Sequence, residues 1–438
     1  MCIKYKNSMI SLIIIAVFNF LNCNINESLT NILNLKLLDT SVTEIFLKIE
    51  INTAFQNADL IIYKDGKFFE NKRVLKNEVI VVDSNLTANT KYSYEAELRI
   101  DQNEPIKSNK IFAQTLTPTS HEFVWQKFFW SEIGSNIEDI EIIDKKNIWA
   151  VGSIWVTDST QNLHFYNGLF WNGERWELKE IPARVSPENN ELVIGLVRSL
   201  FISDSNDIWF HSGGQMIHWN GNIYGDWTFL FESLSDTSFH GINKLGGISN
   251  KTGLAVGNKG NLFLSQKNFG WGKWEKLETN ISEDFLDVLC IDKQENNSYL
   301  PATNFQDFNK NRILIIDQNK KITSIKSVIT RWVSSLWTNN GFPIYLSGDG
   351  IFENKNETWR EINYGANKVI ERIRGNTLND IFAVGHFGTV THFNGIDWRI
   401  YSELEMNGIY KSLSVKENII AIAGIEMGRA VIVLGVRR

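Results

Sequence analysis

A short phrase recurs along the last two thirds of the chain: an apolar strand, a Gly, another strand, an Asn-Gly turn and then a Trp. Its clearest copies are residues 147–152 with 171–173 and Trp176, and residues 380–385 with 393–395 and Trp398. Repeats of roughly 40 to 45 residues with one turn and one Trp per unit are typical of four-stranded blades arranged around a ring. The sequence therefore predicts an all-β protein with a β-propeller. The Asn-Gly pairs predict two-residue hairpin turns in which both central residues have positive φ.

The blade number follows from one residue in the predicted second strand of each repeat. This residue is usually bulky and lies shortly before the Gly of the repeat, and we call it the marker residue. The marker residues are Trp149, Trp209, Leu254, Tyr299, Tyr345, Phe382 and Ala421. They are separated by roughly 60, 45, 45, 46, 37 and 39 residues, near the repeat lengths of propellers apart from one insertion. The sequence therefore predicts seven blades within residues 123–438.

The last repeat supplies only three strands, at residues 409–413, 419–423 and 430–436, before the chain ends. Residues 123–128 precede the first complete repeat, and Trp125 occupies the place that Trp176 and Trp398 have in other repeats. We therefore predict that an N-terminal strand completes the final blade. This closure would remove two unpaired sheet edges, which otherwise invite aggregation.

The chain begins with features of an export signal, which we assign to residues 1–22. Lys4 and Lys6 precede an apolar run at residues 9–21, and Cys23 follows it. The run is too short to span a bilayer comfortably. It resembles bacterial lipoprotein signals, which implies acylation of Cys23 and a tether at residues 23–28. An ordinary secretory signal is the alternative.

Residues 29–117 show short alternating strands without the repeated phrase, at 43–51, 60–63, 79–82 and 110–116. This spacing predicts a β-sandwich of about 90 residues. Residues 86–94 resemble the segment of fibronectin type III domains in which a Tyr packs at the corner entering a strand. The resemblance implies a spacer or docking module, followed by a linker at residues 118–122.

The combination of a lipoprotein-like signal, a type III module and a propeller resembles a group of bacterial exported proteins that sometimes carry the label glucosyl transferase. The chain has no phosphate-binding loop, no His-Glu-x-x-His, no Gly-x-Ser-x-Gly and no Asp-x-Asp. We therefore predict no catalytic residue, metal site or cofactor. The mild net charge of −6, with charges interspersed, argues against a nucleic-acid partner, and we expect a monomer.

Lengthened loops supply the first group of candidate ligand-binding residues. Residues 153–165, 182–191 and 303–311 fall in two types of connection that emerge on one face of a propeller, where binding surfaces are built on rigid strands. The candidates are Trp155, His164, Arg184, Phe305 and His386. Variable loops without function are the alternative, because surface insertions cost little stability.

Arginines on the predicted innermost strands supply the second group. Arg198, Arg372 and Arg374 would line the central channel, where they could hold a carboxylate or phosphate. The alternative is ordinary ion pairing with Asp139, Glu141 or Asp287. His218 and His392 occupy the same place in two repeats, which indicates blade packing rather than a metal site.

Two functions from different classes follow. The first is an exported, lipid-anchored or secreted protein of the bacterial cell envelope that binds a protein or glycan through the propeller rim. The alternative is an exported carbohydrate-active enzyme, a hydrolase, a lyase or a glycosyltransferase as the label of the resembling group says, with its site in the channel. Glycoside chemistry usually needs two positioned carboxylates, and no such pair is recognisable, which favours the first. Convergence of Asp or Glu side chains with Arg198 and Arg372 would discriminate between them.

Overall fold

A computed structural model of the chain describes residues 32–438, apart from 56, 101–102, 131, 232–237, 267–272, 293–295, 327–328 and 356–357. The predicted signal, the tether and Cys23 lie outside the described residues. The chain divides into two compact units, Met1–Thr117 and Pro118–Arg438. Within the described ranges, no helix is long and apolar enough to cross a membrane.

The first unit contains two antiparallel sheets around one core. Its strands are β1 (Leu33–Thr40), β2 (Ile45–Ile51), β3 (Ala58–Lys64), β4 (Lys67–Val74), β5 (Glu78–Asp83), β6 (Lys91–Ile100), β7 (Ile106–Lys107) and β8 (Ile111–Gln114). One sheet has the order β1-β2-β5, and the other has the order β4-β3-β6-β7, with β8 also paired to β6. Alternate residues of the strands, such as Leu47 of β2 and Ile62 of β3, meet in a single buried cluster. The unit is therefore a two-layer β-sandwich.

The second unit begins with β9 (Phe123–Trp130) and continues through successive antiparallel sheets. Sheet 1 contains β10 (Asn136–Asp144), β11 (Asn147–Thr157), β12 (Leu163–Trp171) and β13 (Trp176–Lys179), and a separate hairpin of β14 (Pro182–Ser186) and β15 (Asn189–Ile194) follows it. Sheet 2 contains β16 (Ser199–Asp204), β17 (Asp207–Ser212), β18 (Gln215–Trp219) and β19 (Tyr224–Phe229). Sheet 3 contains β20 (Ile242–Ile248), β21 (Thr252–Gly257), β22 (Leu262–Gln266) and β23 (Glu275–Lys276).

The remaining sheets repeat this arrangement. Sheet 4 contains β24 (Asp284–Phe285), β25 (Leu289–Cys290), β26 (Ser298–Thr303), β27 (Arg312–Ile316) and β28 (Ile322–Lys326). Sheet 5 contains β29 (Val333–Trp337), β30 (Ile344–Gly348), β31 (Gly350–Lys355) and β32 (Thr358–Glu361). Sheet 6 contains β33 (Ile370–Thr377), β34 (Asp380–Gly385), β35 (Val390–Phe393) and β36 (Trp398–Ile400). Sheet 7 contains β37 (Gly408–Lys416), β38 (Ile419–Glu426) and β39 (Arg429–Arg437), with β9 as its outer strand. Short 3-10 turns lie at Asn258–Gly260, Phe308–Lys310 and Ser402–Leu404.

These sheets form a closed ring. First strands make the contacts between neighbouring sheets, except that β26 of sheet 4 contacts β29 of sheet 5, and β37 of sheet 7 returns to β10 of sheet 1. Clusters of buried side chains lie between neighbouring sheets: Ile148 of sheet 1 packs with Ile432 of sheet 7, and Trp149 packs with Phe210 of sheet 2. All of the marker residues lie on second strands, as predicted, where β24 and β25, which both pair with β26, together count as the first strand of sheet 4. The unit is a β-propeller.

The predicted N-terminal closure is confirmed. Strand β9 pairs with β39 along its whole length, with Trp125 opposite Gly435 and Lys127 opposite Val433. The Trp125 ring lies 4.9 Å from the ring of Tyr401 in sheet 6, so the borrowed strand also packs against the neighbouring sheet.

The turn type predicted for the Asn-Gly pairs is wrong. Trp171 pairs with Trp176, so the loop between them has four residues rather than two. Gly173 has a φ of 97°, while the Asn172 side chain accepts hydrogen bonds from the backbone N–H groups of Glu174 and Arg175, both at 3.0 Å. Such a side-chain cap replaces the backbone turn that an Asn with positive φ would form. The same capping recurs at Asn220 and Asn394.

The interpretation of the two repeated histidines as packing residues is confirmed. His392 stacks on marker residue Phe382 at 4.1 Å and contacts Asp380 Oδ1 through Nε2 at 3.0 Å. His218 stacks on marker residue Trp209 at 4.5 Å and contacts Asp207 in the same way.

Candidate functional site

Six sheets place one polar residue of their first strand near the centre of the ring, and sheet 4 places Asp287 there from the segment between β24 and β25. We call this set the polar ring: Asp139, Ser199, Lys244, Asp287, Ser335, Arg372 and Ser412. In six sheets this residue is paired across the first two strands. Its partner on the second strand is always two residues after the marker residue: Asp139, for example, lies opposite Val151, two residues after Trp149. Six of these side chains are buried and Arg372 is nearly so. Two acids and two bases make the set neutral.

Asp139 is the contact point on one side of the polar ring. Lys244 Nζ lies 2.6 Å from each of its carboxylate oxygens. The hydroxyls of Ser199 and Ser412 donate to the same carboxylate at 2.6 and 2.7 Å. One carboxylate of sheet 1 thereby binds groups from sheets 2, 3 and 7.

Asp287 has the same role on the other side. Arg372 Nη1 lies 2.5 Å from its Oδ1, and Arg374 donates to both oxygens, at 2.8 and 2.7 Å. Ser335 Oγ donates to Oδ2 at 2.5 Å. The carboxylate of sheet 4 is therefore joined to sheets 5 and 6, and the ion-pair interpretation of Arg372 and Arg374 is confirmed.

Burial and the neighbouring cations act in opposite directions on the pKa values of the carboxylates in this cluster. Burial alone would raise the pKa of Asp287, but the guanidinium groups of Arg372 and Arg374 hold that pKa well below its usual range. Lys244 and Arg372 likewise keep the pKa of Asp139 low against its burial. Burial raises the pKa of Glu141, which lies 3.8 Å from Lys244, and the nearby Lys244 charge only partly offsets this.

Carboxylates do converge with Arg372, but each is engaged by the protein itself. Ser414 Oγ donates to Glu141 at 3.0 Å, and the other two carboxylates are held as described above. A general acid and base must be free to reach a substrate. The arrangement instead neutralises buried charge and ties sheets together, so it gives no support to the enzyme alternative.

Arg198 does not belong to this cluster. It lies one residue before β16, on the connection that enters the strand, and its side chain is exposed. Its backbone N–H donates to the His211 carbonyl at 3.0 Å. The prediction that Arg198 stands on an innermost strand beside Arg372 and Arg374 is therefore wrong, because the first strand of sheet 2 begins one residue later.

Two kinds of connection meet at one end of the ring, which we call the upper face: the turns from second to third strand and the links between sheets. Backbone hydrogen bonds join them: Gly134 donates to Gly428 at 2.9 Å, and His386 donates to Val369 at 2.9 Å. The candidates from the lengthened loops are distributed along this face. They are Trp155 on β11, His164 on β12, Arg184 on β14, Phe305 after β26, and His386 after β34.

The structure does not bring these candidates into one pocket. His164 pairs with Asp158 and His386 pairs with Glu371, each at 2.8 Å. The Arg184 guanidinium lies 5.2 Å from the ring centre of Trp227. Phe305 is 54% exposed on sheet 4. Their role in ligand binding stays a prediction.

Sequence reasoning missed an apolar surface on the same face. We call it the apolar arc: Phe387 of sheet 6, Met427 of sheet 7, Ile133 on the link before sheet 1, and Leu163 at the start of β12 in sheet 1. Their exposed fractions are 61%, 73%, 80% and 56%. Each stands singly in the sequence at a turn or link, so no run of apolar residues marks the surface. The sequence signal that could have found it is a single apolar residue in several of the turns and links that form the upper face.

Backbone contacts connect the members of the arc. The Met406 N–H donates to the Phe387 carbonyl at 3.2 Å, and the Met427 N–H donates to the Asn407 carbonyl at 3.2 Å. The Gly428 turn then meets Gly134, next to Ile133, and Gly134 lies against the Trp155 ring. Trp155 and Leu163 share the β11–β12 hairpin. These backbone contacts place the four residues on neighbouring connections of sheets 6, 7 and 1.

Three ion pairs lie near the arc. The pairs are Lys368 with Glu405 at 2.9 Å, Lys127 with Glu426 at 3.1 Å, and Lys411 with Glu138 at 3.2 Å. With the two histidine pairs already described, they place charges of both signs next to one another. Among the residues that the structure describes, no group of three or more His, Cys, Asp or Glu could hold a metal ion.

Comparisons with known proteins give no family assignment. No family model and no curated protein matches the chain. Among solved structures, the WD40 β-propeller domain of Doa1 is 12% identical with a TM-score of 0.49, covering 72% of this chain and 98% of that one. Sqt1 of Saccharomyces cerevisiae is 14% identical (0.44; 71% and 98%), and the Pan2 WD40 domain of Neurospora crassa is 11% identical (0.46; 72% and 96%).

Proposed function

We propose that this protein is an interaction scaffold that docks a protein partner on the upper face of its propeller. The observation that carries the proposal is the apolar arc, in which four large apolar side chains are more than half exposed across three neighbouring sheets. Contiguous exposed apolar surface rimmed by polar residues marks sites of protein–protein interaction. A protein fits this surface better than a glycan does, because the arc offers apolar area rather than hydrogen-bonding groups.

The local ion pairs define how the partner binds. Because Lys368, Lys127 and Lys411 are matched by carboxylates, binding gains its free energy from apolar burial rather than from charge attraction. We therefore expect the dissociation constant to change less than about twofold between roughly 0.05 and 0.5 M salt.

Site-specific photo-crosslinking tests the docking face. A photoreactive residue at Met427 of the otherwise native chain is expected to give a covalent adduct with one protein from extracts of the source cells. Ile396 is the matched control, because it is 62% exposed on the turn between β35 and β36, away from the upper face. The substitution Ile133→Asp should reduce the Met427 adduct about tenfold. Equal adducts at both positions, or none at Met427, would refute the proposal.

The finer architecture forms part of the proposal. Each of the seven sheets is one blade, and the first unit is a fibronectin type III module that serves as a spacer. The type III assignment is supported by the Thr87 N–H, which donates to Tyr92 Oη at 3.2 Å and ties the Tyr to the preceding corner. The scaffold acts as a monomer.

We also propose export to the bacterial cell envelope with a lipid anchor on Cys23. The support is the apolar run at residues 9–21 that precedes Cys23. Metabolic labelling with a fatty acid should mark the full chain and not the Cys23→Ala variant. An unlabelled, freely secreted native chain would remove the anchor from the proposal.

A further inference from the structure

A pocket opens between sheets 3 and 4, at the opposite end of the ring from the upper face. Its volume is about 340 Å³. It lies beside the turn between β20 and β21 and the turn between β27 and β28, which belong to the other end of their sheets. Pockets of roughly 300 Å³ and above hold small ligands. The site is separate from the proposed docking face.

The base of the pocket is aliphatic. Leu254, Leu264, Ile316 and Ile248 line it, and each is at most 6% exposed. An aliphatic base suits a branched apolar side chain.

The mouth of the pocket is rich in carboxamides. Gln266 and Gln318 stand at it together with Asn250 and Asn296, and these four residues come from four different segments of sheets 3 and 4. A carboxamide presents both donors and an acceptor, as does the peptide group. The mouth can therefore pair with a peptide backbone while the base takes a side chain.

The charged residues at the mouth are largely occupied. Lys251 forms an ion pair with Asp292, and Lys320 forms one with Glu275. The Asp317 carboxylate accepts hydrogen bonds from the backbone N–H groups of Asn319 and Lys321, at 2.8 and 2.9 Å. Because these charged groups are already engaged, a charged ligand would gain little from them, and the mouth favours a ligand without net charge.

We propose that this pocket binds a short uncharged peptide segment that inserts one aliphatic side chain between sheets 3 and 4. With the docking face at the other end, the propeller would carry two binding sites of different chemistry. The second site does not depend on the first.

Saturation-transfer NMR on the purified full chain tests the proposal with N-acetyl-leucine methylamide as the probe. We expect binding with a dissociation constant of about 1 to 10 mM, and at least about tenfold weaker binding of N-acetyl-glycine methylamide, which lacks the side chain. The double variant Gln266→Ala/Gln318→Ala should weaken leucine-probe binding about three- to tenfold. Gln306→Ala is the matched control, because Gln306 is exposed on the upper face of sheet 4.

Thermal unfolding of each variant establishes that it is folded before binding is compared. The proposal fails if the leucine probe does not bind at about 10 mM, or if the glycine probe binds equally well. It also fails if the double variant binds as the Gln306→Ala control does, or if glucose binds the pocket in preference to the peptide probe.

Discussion

At the residue scale, Asp287 shows how the centre of the ring is held together. Its side chain has no solvent exposure, and it is the shared partner of Arg372 and Arg374. Removing one partner from a buried ion pair leaves uncompensated charge, which costs far more than the net contribution of the pair. The polar ring is therefore expected to be intolerant of single changes.

We predict that Asp287→Asn lowers the free energy of unfolding by about 3 to 5 kcal/mol, because two buried guanidinium groups lose the carboxylate that they contact directly. Urea unfolding followed by tryptophan fluorescence measures the change. Glu361→Gln is the control, since Glu361 pairs with Arg331 on the surface with both side chains nearly half exposed. It should leave the unfolding midpoint unchanged. Equal effects of the two variants would show that the central network contributes no more than a surface pair.

His392 gives a second prediction at this scale. Its buried Nδ1 faces His121 Nδ1 at 2.7 Å, and its Nε2 contacts Asp380 at 3.0 Å. Donation from Nε2 to Asp380 leaves Nδ1 as the acceptor from His121, so the contact requires a neutral His392. Burial lowers the pKa of His392 to about 4, and the neighbouring Asp380 only partly offsets this.

Because the unfolded chain binds this proton more readily, the stability that neutral His392 contributes is present above about pH 6.5 and is lost as the pH falls towards 4. We predict that His392→Gln removes up to about 3 kcal/mol of the pH dependence between pH 7 and pH 4. The measurement is the difference between native and variant unfolding free energies at each pH. Identical pH profiles would contradict this assignment.

At the scale of the element, β9 is the strand whose position only the closed ring explains. It is supplied from the start of the second unit and pairs with the last strand of the chain. Gly435 on β39 lies directly under the Trp125 ring, so even a methyl group there would collide with the indole. The strand is therefore held by ring packing as well as by hydrogen bonds.

We predict that Gly435→Ala displaces Trp125 and lowers the free energy of unfolding by about 1 to 3 kcal/mol. Hydrogen exchange should show faster exchange of the β9 amides, while those of β37 and β38 change less. Gly225→Ala serves as the control, because a Cβ at Gly225 on β19 meets nothing within 4 Å. Unchanged protection of β9 in Gly435→Ala would show that Trp125 packing does not hold the strand.

At the scale of the whole molecule, the two units have separate cores. The cluster of the first unit contains only residues between Leu33 and Ala113, and the clusters of the propeller contain only residues from Phe123 onward. A compact region with its own core can fold alone.

We predict that a chain beginning at Pro118 folds without the first unit and unfolds in one cooperative thermal transition. A chain beginning at Glu132, which lacks β9, should instead aggregate, because β39 would then have an open edge. Differential scanning calorimetry and size-exclusion chromatography distinguish the two. Aggregation of both chains would show that the first unit is needed for the propeller to fold.

The repeated phrase was enough to predict the propeller, the place of each marker residue and the borrowed strand. These features depend on local periodicity and on the absence of a fourth strand from the last repeat, both of which can be seen in the sequence. The sequence also offered ion pairing with Asp139, Glu141 or Asp287 as an interpretation of Arg372 and Arg374, since charges near the centre of a packed ring need partners; the structure selects Asp287.

The tertiary structure alone decided the rest. Asp139 and Lys244 are 105 residues apart in the chain, and they meet only because ring closure points the first strands at a common centre. Phe387 and Ile133 come to the same face of the ring for the same reason, since the last sheet returns to the first. Four-residue loops replaced the expected two-residue turns because the Asn side chains cap them, a choice of geometry that the Asn-Gly pair itself leaves open.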